Sequence, residues 1–443
     1  MKELELAQSL LKEVIEDNTP FLNVLKNTFQ TKVELRAMRN DVAGLLGCEL
    51  RHHILLNYLI KDIEGLTPEQ QRYLCLGLAN NYYYKHLDPK AVEEDVIAYL
   101  GEEKKEQIQA LFQKAENPEE IIPTSISRDS RLYLSLRYNA PEWAINILQH
   151  YGNPLTFRCL RKFSRPLVST LRLRVSKAGK NALEGNPDFA PSAIEDIYCY
   201  KGSQSLRKNE LFRAGKLFSE KMLVKAIVDE YKVGENSEIL LYNGNDDCSF
   251  EYELIETYQN KVGMYLAVPN ADEKVAVKRF LKQENLLNAY LFSAPDPLSM
   301  DASISRPLDL VFAVPNSTNF DRIPETPDYL LHFDTDTMDA LLEQEKNVLE
   351  GCAKYVAVGG KLIYMVFTLS KKEGKSTISG FLKAHPEFRL HKQEEYFPFA
   401  QLETAAYVAV LERVEETLAA PSPLTDLAPI QQAESYSASA SSK

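Results

Sequence analysis

The chain has 443 residues, of which 44% are hydrophobic and 26% charged, and its formal net charge is −12 at pH 7. These values are typical of a globular protein with two or three domains, and no apolar run reaches the roughly 18 residues that a membrane span needs. The net negative charge argues against a protein that coats nucleic acid non-specifically, although a local basic face could still bind RNA.

The cysteines and histidines predict neither disulfides nor a metal site. The six cysteines are far apart and form no C-x-x-C pair, which is typical of free thiols in a reducing compartment. His52 and His53 would point about 100° apart on a helix, so they are poorly placed to share one ion. We expect a cytoplasmic protein without a membrane partner, because the N-terminal stretch is a charged amphipathic helix and not a signal peptide.

Residues 1–122 are predicted to be helical. Leu4, Leu10, Leu11 and Val14 recur at helical spacing. Thr67-Pro68-Glu69-Gln70 predicts a helix start in which Thr67 is the N-cap and Gln70 completes a capping box. The segment therefore predicts a helical domain.

Residues 123–200 are predicted to be a basic linker segment. Between positions 158 and 180 the chain has eight basic residues and no acidic one: Arg158, Arg161, Lys162, Arg165, Arg172, Arg174, Lys177 and Lys180. The alternation at 170–175 predicts a strand with Arg172 and Arg174 on one face, where they could contact phosphate. A solvated charge run is the other interpretation. RNA binding is favoured because a solvated face usually mixes signs.

Residues 201–415 alternate between helical and strand patterns, which predicts a Rossmann-like α/β core with a mostly parallel sheet. Helices are predicted at 217–231, 250–258, 273–283 and 337–352, and strands at 239–242, 263–268, 289–292, 308–314 and 362–366. Gly359-Gly360 is interpreted as the turn between the last helix and the last strand. Residues 416–443 are rich in Ala, Ser and Pro, and a disordered tail is predicted.

Several of these segments are similar to those of bacterial 16S rRNA cytosine-C5 methyltransferases. Residues 134–152 contain a Leu-Arg-Tyr, a Pro-Glu-Trp with the single tryptophan Trp143, and a Tyr-Gly stop in the family's order. LVFAVPNSTN, TPDYLL, VGGKLIY, FLKAHPEFRL and YVAVLERV follow at the family's spacing. The resemblance implies a NusB-like helical domain over residues 1–122, which holds RNA and partner proteins. It also implies an RNA-binding segment that opens at LTFRCL, residues 155–160, and an S-adenosylmethionine-dependent methyltransferase core.

The same resemblance implies that the catalytic residues are absent. The family's two cysteines, one in Thr-Cys-Thr and one in Asp-Ala-Pro-Cys, correspond here to Phe367 and Asn316, which cannot form a thiolate. The family's cofactor positions correspond to a set in which glycines and the ribose-binding acid are mostly lost: Asn243, Gly244, Asp246, Asp247, Pro269, Ala294 and Ala313. Binding of S-adenosylmethionine is therefore expected to be weak or absent.

Three functions are compatible with this pattern. The first is a catalytically inactive member, a pseudoenzyme, that binds structured RNA such as rRNA in ribosome assembly. The second is an active S-adenosylmethionine-dependent RNA methyltransferase with altered chemistry that needs no thiolate. The third is a NusB-like protein-interaction module without an RNA role. The intact frame, the basic segment and the broken site favour the first.

Overall fold

The computed structural model describes residues 1–114, 121–165, 167–245, 247–269, 271–300, 304 and 306–414. Within these ranges the helices are α1 (Lys2–Ile15), α2 (Phe21–Thr31), α3 (Arg39–Ile60), α4 (Pro68–Ala79), α5 (Pro89–Leu100), α6 (Lys105–Gln113), α7 (Arg131–Tyr138), α8 (Glu142–Gln149), α9 (Asn153–Phe163), α10 (Val175–Ala178), α11 (Glu210–Arg213), α12 (Met222–Glu230), α13 (Ser249–Tyr258), α14 (Ala271–Gln283), α15 (Thr335–Ala353) and α16 (Thr377–Ala384). The strands are β1 (Thr170–Leu173), β2 (Phe189–Pro191), β3 (Ile197–Tyr200), β4 (Leu217–Ser219), β5 (Glu238–Asn243), β6 (Gly263–Val268), β7 (Ala289–Ser293), β8 (Leu308–Val314), β9 (Val356–Val366), β10 (Phe388–Tyr396) and β11 (Ala406–Arg413).

Helices α1 to α6 form an N-terminal bundle with one apolar core. Leu4, Leu11 and Val14 of α1 lie on its buried face, because apolar residues three and four positions apart share one side of a helix. The predicted capping box at α4 is confirmed: Thr67 accepts a hydrogen bond from the backbone N–H of Gln70, and the Gln70 side chain accepts one from the N–H of Thr67. The helical prediction for this part of the chain is therefore confirmed.

Helices α7 to α9 join the bundle to the rest of the chain and pack against the α/β core. Buried residues of α8 and α9, including Ile145 and Phe163, share a cluster with Phe320 and Leu369 of the core. The stretch at 155–160, which the resemblance places at the opening of an extended segment, lies inside α9. This part of the chain is therefore packed helix where a linker was predicted.

Strands β1 to β4 form a small antiparallel sheet in the order β2-β3-β1-β4. The strand predicted at 170–175 is present in part: β1 ends at Leu173, and α10 begins at Val175. Leu217 to Ser219 was predicted to begin a helix, but these residues form β4 and pair with β1, and the helix α12 begins only at Met222. The predicted boundary at residue 200 consequently falls inside this unit.

The α/β core contains a seven-stranded sheet in the order β10-β11-β9-β8-β5-β6-β7. Strands β5 to β9 pair in parallel, whereas β11 is antiparallel to both β9 and β10. Helices α12, α13 and α14 contribute to the apolar cluster on one face, and α15 and α16 to the cluster on the other. The predicted α/β class with a mostly parallel sheet is confirmed, since parallel strands need crossover helices to cover both faces.

The predicted turn at Gly359-Gly360 is wrong. Both glycines lie inside β9, which begins already at Val356. The register of β8 against β9 shifts between Leu308 and Leu310, and Gly359 has a φ of 80°. A Cβ on Gly360 would lie 2.9 Å from the carbonyl oxygens of Ala357 and Leu308. Gly359 therefore accommodates the bulge through its positive φ, and Gly360 permits the close approach of the neighbouring backbone, where a Cβ would clash.

Among the described residues, no helix is long and apolar enough to cross a membrane. The same ranges contain no group of three or more His, Cys, Asp or Glu side chains that could hold a metal ion. The tail predicted for 416–443 lies outside the described residues.

Candidate functional site

A cleft of about 800 Å³ opens at the carboxyl ends of the parallel strands. Gly244 and Asp247 follow β5, Pro269 follows β6 and Asn316 follows β8, and all four line the cleft. Strands β5 and β8 are neighbours at the point where the chain order of the sheet reverses, which is where open α/β sheets bind ligands. Pro20, Leu22 and Asn23 of the N-terminal bundle also line the cleft.

The two positions implied to be the family's cysteines lie at the ends of adjacent strands. Asn316 follows β8, and its side-chain oxygen accepts a hydrogen bond from Asn319 at 2.7 Å. Phe367 follows β9 directly and is 2% exposed. Its backbone N–H donates to the Ser317 hydroxyl at 3.2 Å, so the loops after β8 and β9 are joined. Neither side chain is a nucleophile, and one is an aromatic ring.

The loops after β8 and β9 are also held by a buried carboxylate. Glu373 accepts hydrogen bonds from the Thr318 N–H at 2.8 Å, the Thr318 hydroxyl at 2.8 Å and the Thr368 hydroxyl at 3.1 Å. All three residues are fully buried. These bonds make the two loops one rigid unit, because none of the groups can exchange its partner for water.

Lys221 fills the space above Phe367. Its ammonium lies 3.9 Å from the centroid of the Phe367 ring, 3.1 Å from Asp247 and 3.0 Å from Asp321. Burial by itself would lower the pKa of Lys221, but the two carboxylates raise it above its usual value. Burial would raise the pKa of Asp247, and the ammonium lowers it overall. The arrangement is a cation held by two carboxylates and an aromatic face.

The loop after β5 contacts the loop after β8 and is held by side-chain hydrogen bonds. The Asn243 amide donates to the Glu251 carboxylate and to the Asp247 carbonyl, each at 2.9 Å. A Cβ on Gly244 would lie 2.7 Å from the backbone nitrogen of Asn316. At Gly244, therefore, the two loops are in direct backbone contact, with no room for a ligand between them.

The residues at the positions where the family binds S-adenosylmethionine do not fit that cofactor in this chain. Pro269 has no side-chain acceptor for ribose hydroxyls. Ala313 and Ala294 are buried and without polar side-chain atoms. Asp246 lies outside the described residues. Asp247 is engaged with Lys221.

Four of the predicted RNA-binding residues lie on or just after α9, with spacings of three and four. Arg158, Arg161 and Arg165 are exposed, and Lys162 is half-buried and paired with Glu403 at 3.0 Å. The guanidinium of Arg158 lies 3.8 Å from the centroid of the Phe399 ring. We call these four residues the α9 stripe; the opposite side of the helix buries Thr156, Cys159, Leu160 and Phe163.

Arg172 and Arg174 are buried, which corrects the prediction that this pair contacts phosphate. Arg172 is paired with Glu253 at 3.2 Å and with Asp196 at 2.8 Å. Arg174 is paired with Glu256 at 2.8 Å and makes two bonds to Glu284 at 2.7 and 2.8 Å. Their positive charge is thus used inside the protein, where it joins the small sheet to α13 and the segment after α14.

The last two basic residues are exposed but also have carboxylate partners. Lys177 lies 2.6 Å from Glu284, and Lys180 lies 3.0 Å from Glu195. Their contribution to RNA binding remains a prediction. Neither lysine lies on α9, the helix that carries the α9 stripe.

Sequence patterns miss the charged residues of the cleft. Lys221 lies in a segment that was predicted to be continuous helix, and its partners Asp247 and Asp321 are distant in the chain. Glu220 and Asp321 carry no motif. No local pattern marks Lys221, because it follows β4 of the small antiparallel sheet and meets its two carboxylates only in the folded chain.

Two curated proteins match short segments of the chain. Ribosomal RNA small subunit methyltransferase B of Thermus thermophilus is 38% identical over 61 residues, which are 14% of this chain and 15% of the relative. The protein of that name from Xanthomonas campestris pv. campestris is 39% identical over 57 residues, which are 13% of each. The matches therefore span about one seventh of the length of these relatives. No family model matches the chain.

Solved structures share the fold over a much longer stretch. PH0851 has a TM-score of 0.68 at 16% identity, covering 92% of this chain and 98% of its own. NSun6 from Pyrococcus horikoshii has a TM-score of 0.53 at 12% identity, over 62% of this chain and 99% of its own. A methyltransferase homologue from Pyrococcus horikoshii has a TM-score of 0.52 at 13% identity, over 65% and 100%. The fold is therefore that of methyltransferases, and the resemblance to rRNA methyltransferases is confirmed.

Proposed function

We propose that this relative of the rRNA methyltransferases is an RNA-binding protein that does not methylate cytosine at C5. The observation that carries the proposal is the pair Asn316 and Phe367 at the ends of β8 and β9, with the Lys221 ammonium on the Phe367 ring. A methyltransferase fold persists without chemistry because frame and site depend on different residues.

The reaction needs a thiolate that attacks C6 of the base and so makes C5 nucleophilic. Neither a phenyl ring nor a carboxamide can form that bond. Cys352 cannot substitute, because it is buried in α15 and burial raises the pKa of its thiol. Cys248 lies just before α13, on the loop after β5, and not at the end of β8 or β9. Losing the nucleophile should leave no measurable C5 methylation.

The RNA contacts are assigned to the α9 stripe. Arg158, Arg161 and Arg165 are exposed and recur every third or fourth residue, so their guanidiniums can follow a row of phosphates. The protein's net charge of −12 would oppose RNA elsewhere, which makes the local stripe the favoured contact. The RNA is proposed to be structured rRNA, as the names of the curated relatives suggest.

The N-terminal bundle is proposed to hold a partner. Residues 1–122 would be a NusB-like domain that binds RNA or another protein. The RNA-binding segment would run from residue 123 to the end of the small sheet at Ser219, and the methyltransferase-type core would follow it. A role in ribosome assembly, in the cytoplasm, follows from this combination. The resemblance of the motifs supports it.

Binding of an rRNA fragment to the full chain tests the RNA assignment. The triple variant Arg158→Gln, Arg161→Gln and Arg165→Gln should bind more weakly, and its salt dependence should flatten by about one unit of slope per lost contact. The matched control removes three exposed cations from α14: Lys278→Gln, Arg279→Gln and Lys282→Gln. Equal losses in both variants, or no loss in either, would contradict the assignment to α9.

A methyl-transfer assay tests the inactivity. The full chain is incubated with bulk rRNA and S-adenosylmethionine that carries a tritiated methyl group. We expect no label above background. Label on cytosine C5 would overturn the proposal, and label on another atom would replace it with a methyltransferase of altered chemistry.

A further inference from the structure

The cleft has more negative than positive groups. Among the lining residues that the structure describes, five are carboxylates (Glu220, Asp247, Asp321, Glu325 and Glu403), and two are cationic (Lys221 and Arg322). Glu403 is paired with Lys162 outside the lining set. This excess of negative charge would repel RNA phosphates from the cleft. RNA is therefore expected to bind at the α9 stripe and not in the cleft.

Two of these carboxylates have an oxygen without a partner. Glu220 is 3% exposed, and its Oε2 makes no hydrogen bond, while its Oε1 accepts from the Lys221 N–H at 2.8 Å. The side chain of Asp321 is 10% exposed, and its Oδ1 makes no hydrogen bond. A buried carboxylate oxygen without a donor is costly, and a ligand that donates there would remove the cost.

Burial is the main cause of the raised pKa of both Glu220 and Asp321. Burial, followed by repulsion from Glu253, raises the pKa of Glu220. Burial also raises the pKa of Asp321, although Lys221 opposes it. One lysine therefore does not neutralise this part of the cleft, and a further cation beside these oxygens would be stabilised.

The contacts of the Lys221 side chain indicate which kind of cation the cleft would hold. It is a primary ammonium on an alkyl stem, and the protein holds it with Asp247, Asp321 and the Phe367 ring. Other residues that line the cleft are apolar and exposed: Leu22 is 56% exposed, Leu167 38% and Val168 42%. Methylene groups would cover such a wall, and ammonium groups would reach the carboxylates.

We propose that the cleft binds a small aliphatic diamine or polyamine, with its ammonium groups beside Glu220 and Asp321 and its methylene chain against Leu22, Leu167 and Val168. The cleft volume, about 800 Å³, is that of a small-molecule site rather than of a peptide groove. This function is separate from RNA binding on α9.

Calorimetry of the full chain with 1,4-diaminobutane and with spermidine tests the proposal. Both amines should bind, and 1,4-butanediol, which has the same carbon chain without charge, should not. Asp321→Asn and Glu220→Gln should each weaken amine binding by about tenfold or more, since a hydrogen bond to a charged group is lost.

The variant Lys221→Met supplies a test with the opposite sign. It removes the protein's own ammonium and leaves Asp247 and Asp321 to the ligand, so spermidine should bind more tightly, by roughly tenfold. Lys180→Met is the matched control, because it changes the net charge equally at an exposed pair away from the cleft and should leave the affinity unchanged. If Lys221→Met does not fold, the wild type and Asp321→Asn still decide.

Three results would overturn the proposal. They are no heat with either amine in the wild type, equal affinity for the amines in Asp321→Asn, and equal strengthening in Lys180→Met and Lys221→Met. A lysine-rich peptide that binds more tightly than spermidine and depends on the same carboxylates would overturn the assignment to a small amine.

Discussion

The basic run at 158–180 has a part that is exposed to solvent and a part that is buried. The arginines of α9 are exposed, whereas those of β1 and the residue after it, Arg172 and Arg174, are buried in ion pairs with carboxylates of the core. The difference comes from the partner surfaces. Helix α9 buries one side and leaves the other to solvent, while β1 is an inner strand of the small sheet in which Leu171, Arg172 and Leu173 are all buried, so both of its faces are covered. Segregation of charge along a chain therefore does not say which charges reach a ligand.

Removing a buried arginine should have the largest effect. Arg174→Met would leave Glu256 and Glu284 without their common partner, and we expect a loss of about 3–5 kcal/mol in the free energy of unfolding. Urea denaturation of the full chain measures it. A loss below about 1 kcal/mol would mean that Arg174 is not structural. If the variant cannot be purified, Arg174→Lys, which keeps the charge but not the two-pronged bonding to Glu284, should show a smaller loss.

Removing a buried carboxyl group, that of Glu345, should have the opposite effect on stability to removing Arg174. Burial and then repulsion from Glu373 raise the pKa of Glu345 to about 11, against an ordinary value of 4.5. Between these values the folded chain holds a proton that the unfolded chain releases, so this group's contribution to stability falls as pH rises. Glu345→Gln should therefore be more stable than the wild type above pH 4.5. The advantage should be about 3 kcal/mol at pH 7 and should grow with pH.

Denaturation at several pH values measures this difference. Glu343→Gln, an exposed neighbour on the same helix, is the matched control and should show no such trend. A difference that shrinks as pH rises would contradict the assignment of the proton to Glu345.

A single exposed arginine should affect binding and not stability. Arg161→Gln removes a group that touches solvent on α9, and surface substitutions of this kind usually change stability by less than about 0.5 kcal/mol. Its salt-dependence slope for RNA should nevertheless fall by about one unit. A stability loss comparable to that of Arg174→Met would erase the distinction between the two parts of the run.

The smallest effect is expected at Lys180. Its pair with Glu195 is exposed on both sides, with side-chain exposures of 72% and 73%. Screening by water and salt leaves such pairs with little net energy, so the urea midpoint of Lys180→Gln should equal that of the wild type. A clear shift of the midpoint would show that exposure alone does not separate structural from non-structural cations here.

The strands of the core could be predicted because their signal is local. Residues 263–268 form an apolar run of strand length and residues 308–314 one interrupted only by Asp309, and both are strands with those bounds. The alternation at 170–175 also predicted which side chains share a face. It could not predict what covers that face, because Arg172 and its partner Glu253 are 81 residues apart.

The candidate site was predicted in part. Motif order placed Asn316 and Phe367 at the strand ends, since the residues after parallel strands meet at one edge. Lys221 and Asp321 were missed, because their meeting depends on a turn between β4 and α12 where a helix was expected. The bulge at Gly359 was missed for a similar reason: a glycine pair fits a turn and a bulge equally well.

One hydrogen bond at the edge of the cleft has a consequence for how the chain assembles. The backbone N–H of Phe21, at the start of α2, donates to the buried carboxylate of Asp328 at 2.9 Å, and the two residues are 307 positions apart. A contact of such sequence separation closes a very long loop, so we expect it to form after each domain has acquired its own core. We therefore expect the N-terminal bundle to dock late in folding, and Leu22 would join the lining of the cleft only then.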